Sequence, residues 1–361
     1  MTPGPTQVRE NVRMARSQET GNPDLDLNFY DFYKKTCKQI SRLMHTKNES
    51  YILSGEGILG LEAACASLTE PGDRVLVFDN GVFGKGFADF VSLYGGTPVL
   101  FSSDYTEQLN VPAIAAYLEA DHAFKYATIV HCDTPSGMLN DIHAICPLLK
   151  QYGILTVVDS VSGAFGNEVD VDEAQIDILC LGSQKALSAP IGLTMLCVSP
   201  DAISAMENRQ TPIASFYANI LNLKDYYKNK WFPYSMPISD ILGLSVALQN
   251  VEEDRTIVER HKRLAKITRD YITNLGLSLY NKNGYSNTVT VFKVPEDLTS
   301  SQILERMEEV HGIMIAGSFD VLAGEVIRIG HMGENAHEVD VRQTLEALAE
   351  TLSYLRKQRF Q

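Results

Sequence analysis

The chain has 361 residues, 45% hydrophobic and 21% charged, and a net charge of −14. That length buries a sizeable core, as one large domain with a smaller one or as two comparable domains. So acidic a balance speaks against a general role on nucleic acid or on an anionic membrane surface, both of which need a basic face, and no apolar run is long enough to span a bilayer.

In chain order, the opening "MTPGPTQVRE" lacks the basic-then-apolar order of a signal peptide, and the closing Arg359, Phe360 and Gln361 are no peroxisomal address. The expected compartment is the cytoplasm. From Tyr51 onward, short apolar runs alternate with helical patterns. "YILS" (51–54) precedes a helix from about Ile58, "RVLVF" (74–78) a helical stretch through Tyr94, and "TPVLF" (97–101) another at 110–120. "ATIVH" (127–131) leads to a helix near 141–151, and "ILTVVD" (154–159), "DILCLG" (177–182) and "LTMLCVS" (193–199) complete seven strand runs. Runs this apolar are covered on both faces, which implies a mainly parallel sheet between helices, an α/β large domain. After about residue 236 the pattern changes. A long helical stretch at 239–274 gives way to "NTVTVFKV" (287–294), a helix at 299–310, "GIMIA" (312–316), "EVIRIG" (325–330) and a last helix near 336–357. This reads as a smaller α+β domain. The expected division is an arm at 1–19, a large domain at 20–236 and a small domain at 237–361. The six cysteines (Cys37, Cys65, Cys132, Cys146, Cys180, Cys197) form no C-x-x-C pair and sit mostly in apolar strings. They are expected as buried free thiols rather than disulfides or metal ligands.

Three stretches carry chemistry. "SGEGILGLEAA" (54–64) sets Gly55 and Gly57 ahead of a helix, with Ser54 suited to cap it. Free N–H groups and a positive dipole end there suit an anion, yet Glu56 puts a carboxylate in the turn. "TVVDSVSG" places Asp159 at the C-terminal end of a buried strand, where open α/β sheets bind ligands. "LGSQKALSAPIG" places Lys185 just after another strand, among small residues. A lysine beside buried surface has a lowered pKa and forms Schiff bases with carbonyls. A carboxylate at the next strand end pairs with a protonated pyridine nitrogen. That is the division of labour in a pyridoxal phosphate enzyme.

Almost end to end, the chain resembles the class V aminotransferases of fold type I, in the branch of the alanine–glyoxylate and serine–pyruvate enzymes. The resemblance is carried in order by "TPGPTQV", "SGEGILGLEAA", "LTEPGDRVLVFDNGVFGKGFAD", "HCDTPSGMLNDI", "VVDSVSGAFG", "GSQKALSAPIG", "PYSMPI" and "IRIGHMG". It implies a homodimer with shared sites and pyridoxal 5′-phosphate held covalently on Lys185, which also shuttles the proton. It further implies Asp159 at the pyridine nitrogen, Val161 under the ring, Phe83 stacked on the other face and Thr134 near the phenolic oxygen. Ser54, Gly55, Glu56, Gly57 and Gln184 fall at the phosphate, with Ser235 and Tyr234 reaching it from the second subunit. Arg328 matches the residue that grips the substrate α-carboxylate, as the planar guanidinium fork suits, and Gly4 lets the arm approach the substrate. The implied reaction moves an amino group from alanine or serine to glyoxylate or pyruvate.

Some residues depart from the family pattern. Asp133 and Pro135 stand where the family usually has Glu and a small hydroxyl residue, which alters hydrogen bonding near the ring oxygen. No cysteine lies in the 318–335 region, which speaks against a desulfurase. Glu56 is expected to face outward, its own N–H and that of Gly57 still holding the phosphate. The alternatives turn it inward, onto substrate amine or water, or make it the mark of a phosphate-free site. The last resembles pyridoxamine–pyruvate aminotransferase, in which a glutamate stands in this turn; no cofactor is then resident, and pyridoxamine or pyridoxal is a substrate.

Overall fold

The computed structural model describes residues 1–358; Arg359, Phe360 and Gln361, and with them the reading of a terminal address, lie outside the described residues. All seven apolar runs become strands of one sheet: β1 (Glu49–Ser54), β2 (Arg74–Asp79), β3 (Thr97–Ser102), β4 (Tyr126–Val130), β7 (Leu155–Asp159), β8 (Ile178–Gly182) and β9 (Leu193–Val198). A two-stranded hairpin, β5 (Cys132–Asp133) and β6 (Met138–Leu139), follows β4. The sheet order is β1-β9-β8-β7-β4-β2-β3. Only β9 opposes its neighbours β1 and β8; all other pairs are parallel. Strands β4, β8 and β9 are buried throughout, as their unbroken apolar runs require.

Helices α1 (Glu10–Arg16), α2 (Leu27–Leu43), α3 (Gly57–Leu68), α4 (Val82–Leu93), α5 (Val111–Ala120), α6 (Ile142–Gln151) and α7 (Pro200–Glu207) belong to this part of the chain, followed by the single turns α8 (Leu221–Lys224) and α9 (Tyr226–Asn229). The stretch expected as one helix at 239–274 is two, α10 (Ile238–Glu253) and α11 (Ile257–Asn274). The break has a local cause: Asp254 turns back to accept from the backbone and hydroxyl of Thr256, and pairs with Arg260. Side chains that bond nearby backbone compete with the helix in this way.

Ile241, Leu244 and Leu248 of α10 pack into the first core, whereas Leu264 and Ile272 of α11 belong to the second; Val289, Val291 and Val326 join the first core again from further along the chain. The second core is built on a three-stranded antiparallel sheet, β10 (Val289–Lys293), β12 (Val326–Gly330) and β11 (Ala316–Gly317), with α12 (Ser300–His311) and α13 (Glu338–Gln358). Of "GIMIA", only Ala316 is strand. Gly312 closes α12 in the left-handed region at φ 64°, so the chain needs several residues before it can pair. Among the described residues no helix is long and apolar enough to cross a membrane.

Candidate active site

Asp159 is the last residue of β7, and Lys185 lies in the turn that leaves β8. The two parallel strands are neighbours, so both side chains arrive at the C-terminal rim of the sheet. Asp159 is buried, and its Oδ1 accepts from the Val161 N–H at 2.9 Å. Burial pushes its carboxyl up to about 7. Lys185 is pulled down to about 8, first by burial and then by the Arg328 guanidinium. Its Nζ donates to the Pro3 carbonyl at 2.9 Å, so the N-terminal arm lies across it. Thr6 fixes the arm there, its N–H donating to Gln184 O and its hydroxyl to Lys185 O. The expectation for Gly4 gains a physical basis: at φ +96°, a Cβ there would come within 2.6 Å of Lys185 Cδ and 2.9 Å of Nζ.

Between the rim residues lies a cleft of about 120 Å³, lined by Phe83, Thr134, Val161, Gln184, Lys185 and Asp159 together with the Glu56–Gly57 turn. A Cβ on Gly57 would stand 2.8 Å from Val161 Cγ2, so that turn rests directly on Val161. Phe83 lies in the first turn of α4, and its N–H donates to Asp133 Oδ1 at 3.0 Å. Helix α4 has Gly81 before it and no cap of its own. Asp133 supplies the missing acceptor from another segment and also takes the Ser136 hydroxyl at 2.6 Å. The departure at Asp133 thus acts on the placement of Phe83. Arg328, on β12, is 9% exposed; its Nε donates to Gly317 O at 2.6 Å and its Nη1 reaches Thr134 O at 3.4 Å. Burial lowers its guanidinium to about 10, still cationic at neutral pH.

Two expectations about the glycine turn are corrected. Glu56, not Ser54, caps α3: its Oε1 accepts the Ile58 N–H at 3.2 Å. Ser54 is still paired with Leu193 in the sheet, and the Gly55 N–H still donates to Gly192 O, so free helical N–H groups begin only after Glu56. Glu56 also faces inward, not outward. Its Oε2 accepts from Gln184 Nε2 at 3.3 Å, and it lines the cleft, whereas Ser54 and Gly55 stay with β1. With its amide nitrogen facing that carboxylate, Gln184 presents Oε1, which is buried without a hydrogen-bond partner.

Ser235 is exposed and donates to Asp24 at 2.7 Å, and Tyr234 stacks on Tyr217 at 4.5 Å; within one chain neither lines the cleft. Sequence reasoning passed over Cys132, Ser162, Ile58 and Leu61, which do line it. Ser162 stands in the same "VVDSVSG" as Asp159, and its hydroxyl is another buried polar atom without a partner.

The lining fits a pyridoxal ring. Burial leaves the Asp159 carboxyl wanting a cationic partner, which a pyridinium N–H supplies, and Val161 and Phe83 offer apolar surface. At the Glu56 end, however, the Glu56 carboxylate lines the cleft and no cationic side chain lines it there.

The aminotransferase class-V family model matches residues 2–325. The chain is 33% identical over 357 residues to a pyridoxamine–pyruvate transaminase of Mesorhizobium japonicum, covering 96% of this chain and 90% of that one. It is 31% identical over 349 residues to a serine–glyoxylate aminotransferase of Arabidopsis thaliana, covering 94% and 86%. A solved ureidoglycine–glyoxylate aminotransferase of Bacillus subtilis superposes with a TM-score of 0.95 at 27% identity, over 99% of this chain and 93% of that one.

Proposed function

We propose, from the premise that this chain belongs to the class V aminotransferases, that it draws its amino group from phosphate-free pyridoxamine and passes it to a small 2-oxo acid such as pyruvate. Class V aminotransferases are pyridoxal 5′-phosphate enzymes, and transfer between a small amino acid and a small 2-oxo acid through a pyridoxal ring is this chain's chemistry. The proposal concerns the ring's far end. In this direction pyridoxamine and pyruvate become pyridoxal and alanine; in reverse, alanine is the donor.

The observation that carries this reading is the inward Glu56 carboxylate bonded to Gln184, whose own Oε1 is left without a donor. A phosphate dianion offers only acceptors. Each unit-charge pair at about 4 Å costs ~4 kcal/mol at an effective dielectric near 20, against ~0.3–2 kcal/mol returned by a helix N-terminus. Repulsion wins. A hydroxymethyl group carries no charge and donates one hydrogen bond, which the Glu56 carboxylate can receive. The match to a pyridoxamine–pyruvate transaminase supports the same reading.

When bound, the ring serves as the electron sink. Lys185 Nζ supplies the amine that holds the ring aldehyde and moves the proton between the substrate α-carbon and the ring side; at about 8 it is partly neutral at physiological pH. Asp159 holds the proton at the pyridine nitrogen. Phe83 and Val161 keep water from the faces, and the Arg328 fork takes the α-carboxylate. A homodimer is part of the proposal: Ser235 is exposed next to Tyr234, which stacks on the exposed Tyr217, itself in ring contact with the exposed Phe216, large apolar side chains open to solvent in a single chain. So is a cytoplasmic setting, supported by six buried free cysteines.

The test supplies purified protein with pyruvate and either pyridoxamine or its 5′-phosphate. Saturable alanine formation from pyridoxamine is expected, with the phosphate ester poorer in kcat/KM by about a hundredfold or more. Glu56→Gln should narrow that gap. Protein that carries tight pyridoxal phosphate bleached by alanine, and ignores free pyridoxamine, would overturn the proposal.

A further inference from the structure

Resting on the transaminase reading but not on the form of the ring, we infer that Phe319 sets specificity for the side chain of the amino and 2-oxo acids, admitting small uncharged groups and refusing a second carboxylate. Arg328 decides where the α-carboxylate sits, so whatever flanks Arg328 decides what the rest of the substrate meets. Its Nε is bonded to the Gly317 carbonyl, two residues before Phe319. The Ser318 hydroxyl donates to Pro135 O at 3.2 Å, which ties this segment to the turn carrying Thr134. Phe319 follows in extended backbone, at the entrance to the 3-10 turn Asp320–Leu322. Its ring lies 5.6 Å from Arg328 Cζ and 6.1 Å from the Phe83 ring, at an interplanar angle of 76°.

Three groups thus converge: the carboxylate-binding cation, the aromatic on the cleft wall, and a second aromatic from the segment that follows β11. Phe319 remains 43% exposed, so burial in the core does not account for its place. Beside Arg328 a ring gains cation–π attraction and keeps the guanidinium in plane. A methyl side chain rests on such a surface at little cost. A longer aliphatic chain competes with the ring for space. A distal carboxylate fares worse: it is desolvated against two aromatic faces, and the next residue, Asp320, is itself acidic. Unpaired charge is refused more strongly than excess length.

The test compares 2-oxo acids against one another with a single amino donor, so the ratio of their kcat/KM values cancels whatever depends on the ring. Wild type should prefer pyruvate to 2-oxopentanoate and to oxaloacetate. Phe319→Ala should raise the 2-oxopentanoate-to-pyruvate ratio about tenfold or more. Phe319→Arg should raise the oxaloacetate-to-pyruvate ratio by at least as much, while Phe319→Leu keeps both near wild type and controls for folding. Ratios within twofold of wild type in the Ala and Arg variants would overturn the inference. The phosphate-free reading fails separately, when pyridoxamine is no donor; the same ratios are then read with serine and pyridoxal phosphate, since serine and pyruvate give products distinct from both.

Discussion

Asp159 and Lys185 are each held away from their customary charge, and the sign of each cost can be stated. Burial pushes the Asp159 carboxyl up to about 7 in the fold, from an ordinary 3.8. Its contribution is present at low pH and is lost as pH rises through that interval, because the folded chain keeps a proton that the unfolded chain releases. The loss is on the order of 4 kcal/mol by about pH 8. Asp159→Asn removes the titration and keeps the acceptor for the Val161 N–H. Without ring ligand, this variant should melt at higher temperature than wild type at pH 8, the gap closing toward pH 4; equal midpoints at both pH values would refute the assignment. Lys185 runs the other way, its titration lowered from 10.5 to about 8. Amino transfer should therefore rise with pH through about 8, as the neutral amine forms, and vanish in Lys185→Ala at every pH. Both residues were legible in the sequence because strand ends mark them. The direction of Glu56 was not, since it depends on Gln184, a residue brought in from another strand's exit.

Among elements, the apolar strand runs were read from pattern, whereas the amphipathic helix α2 was passed over. The seven apolar runs need helices on both faces, and that need is met. The departures arise where one side chain redirects the backbone: Asp254 splits a helical pattern within the charged stretch 252–255, and Gly312 delays β11. Helix α4 shows the converse, an element completed by a distant residue. No neighbour in sequence caps it, and Asp133 does so from the β5 hairpin. Asp133→Ala should cost about 1–2 kcal/mol of stability, as lost helix caps do. It should also weaken ring binding, because Phe83 rides on that first turn. Asp133→Asn retains an acceptor and should recover most of both. Calorimetry and ring titration on the two variants check this; an alanine variant unchanged in both would detach Phe83 from Asp133.

At the scale of the whole molecule, the arm binds both cores to the site. Met1 is bonded to Met314 and Gly330 of the second core, Thr6 to the Lys185 turn of the first, and Arg9 pairs with Glu334. One chain therefore encloses Lys185 from its own arm side, while its Tyr234 and Ser235 do not line the cleft. The proposed two-fold dimer would give each site a loop from the other chain. The arrangement makes a quantitative demand. Lys185→Ala disables every site whose lysine it carries, and Ser235→Trp obstructs every site its loop enters. In a two-fold dimer a chain's loop enters the site of its partner's lysine, so in a hybrid of the two variants both defects fall on one site and the other has neither. Mixed equally and allowed to exchange, two inactive proteins should regain about a quarter of wild-type activity, since half the dimers are hybrids with one sound site each. If the loop served its own chain's site, every site in the hybrid would carry a defect, and mixing would restore nothing.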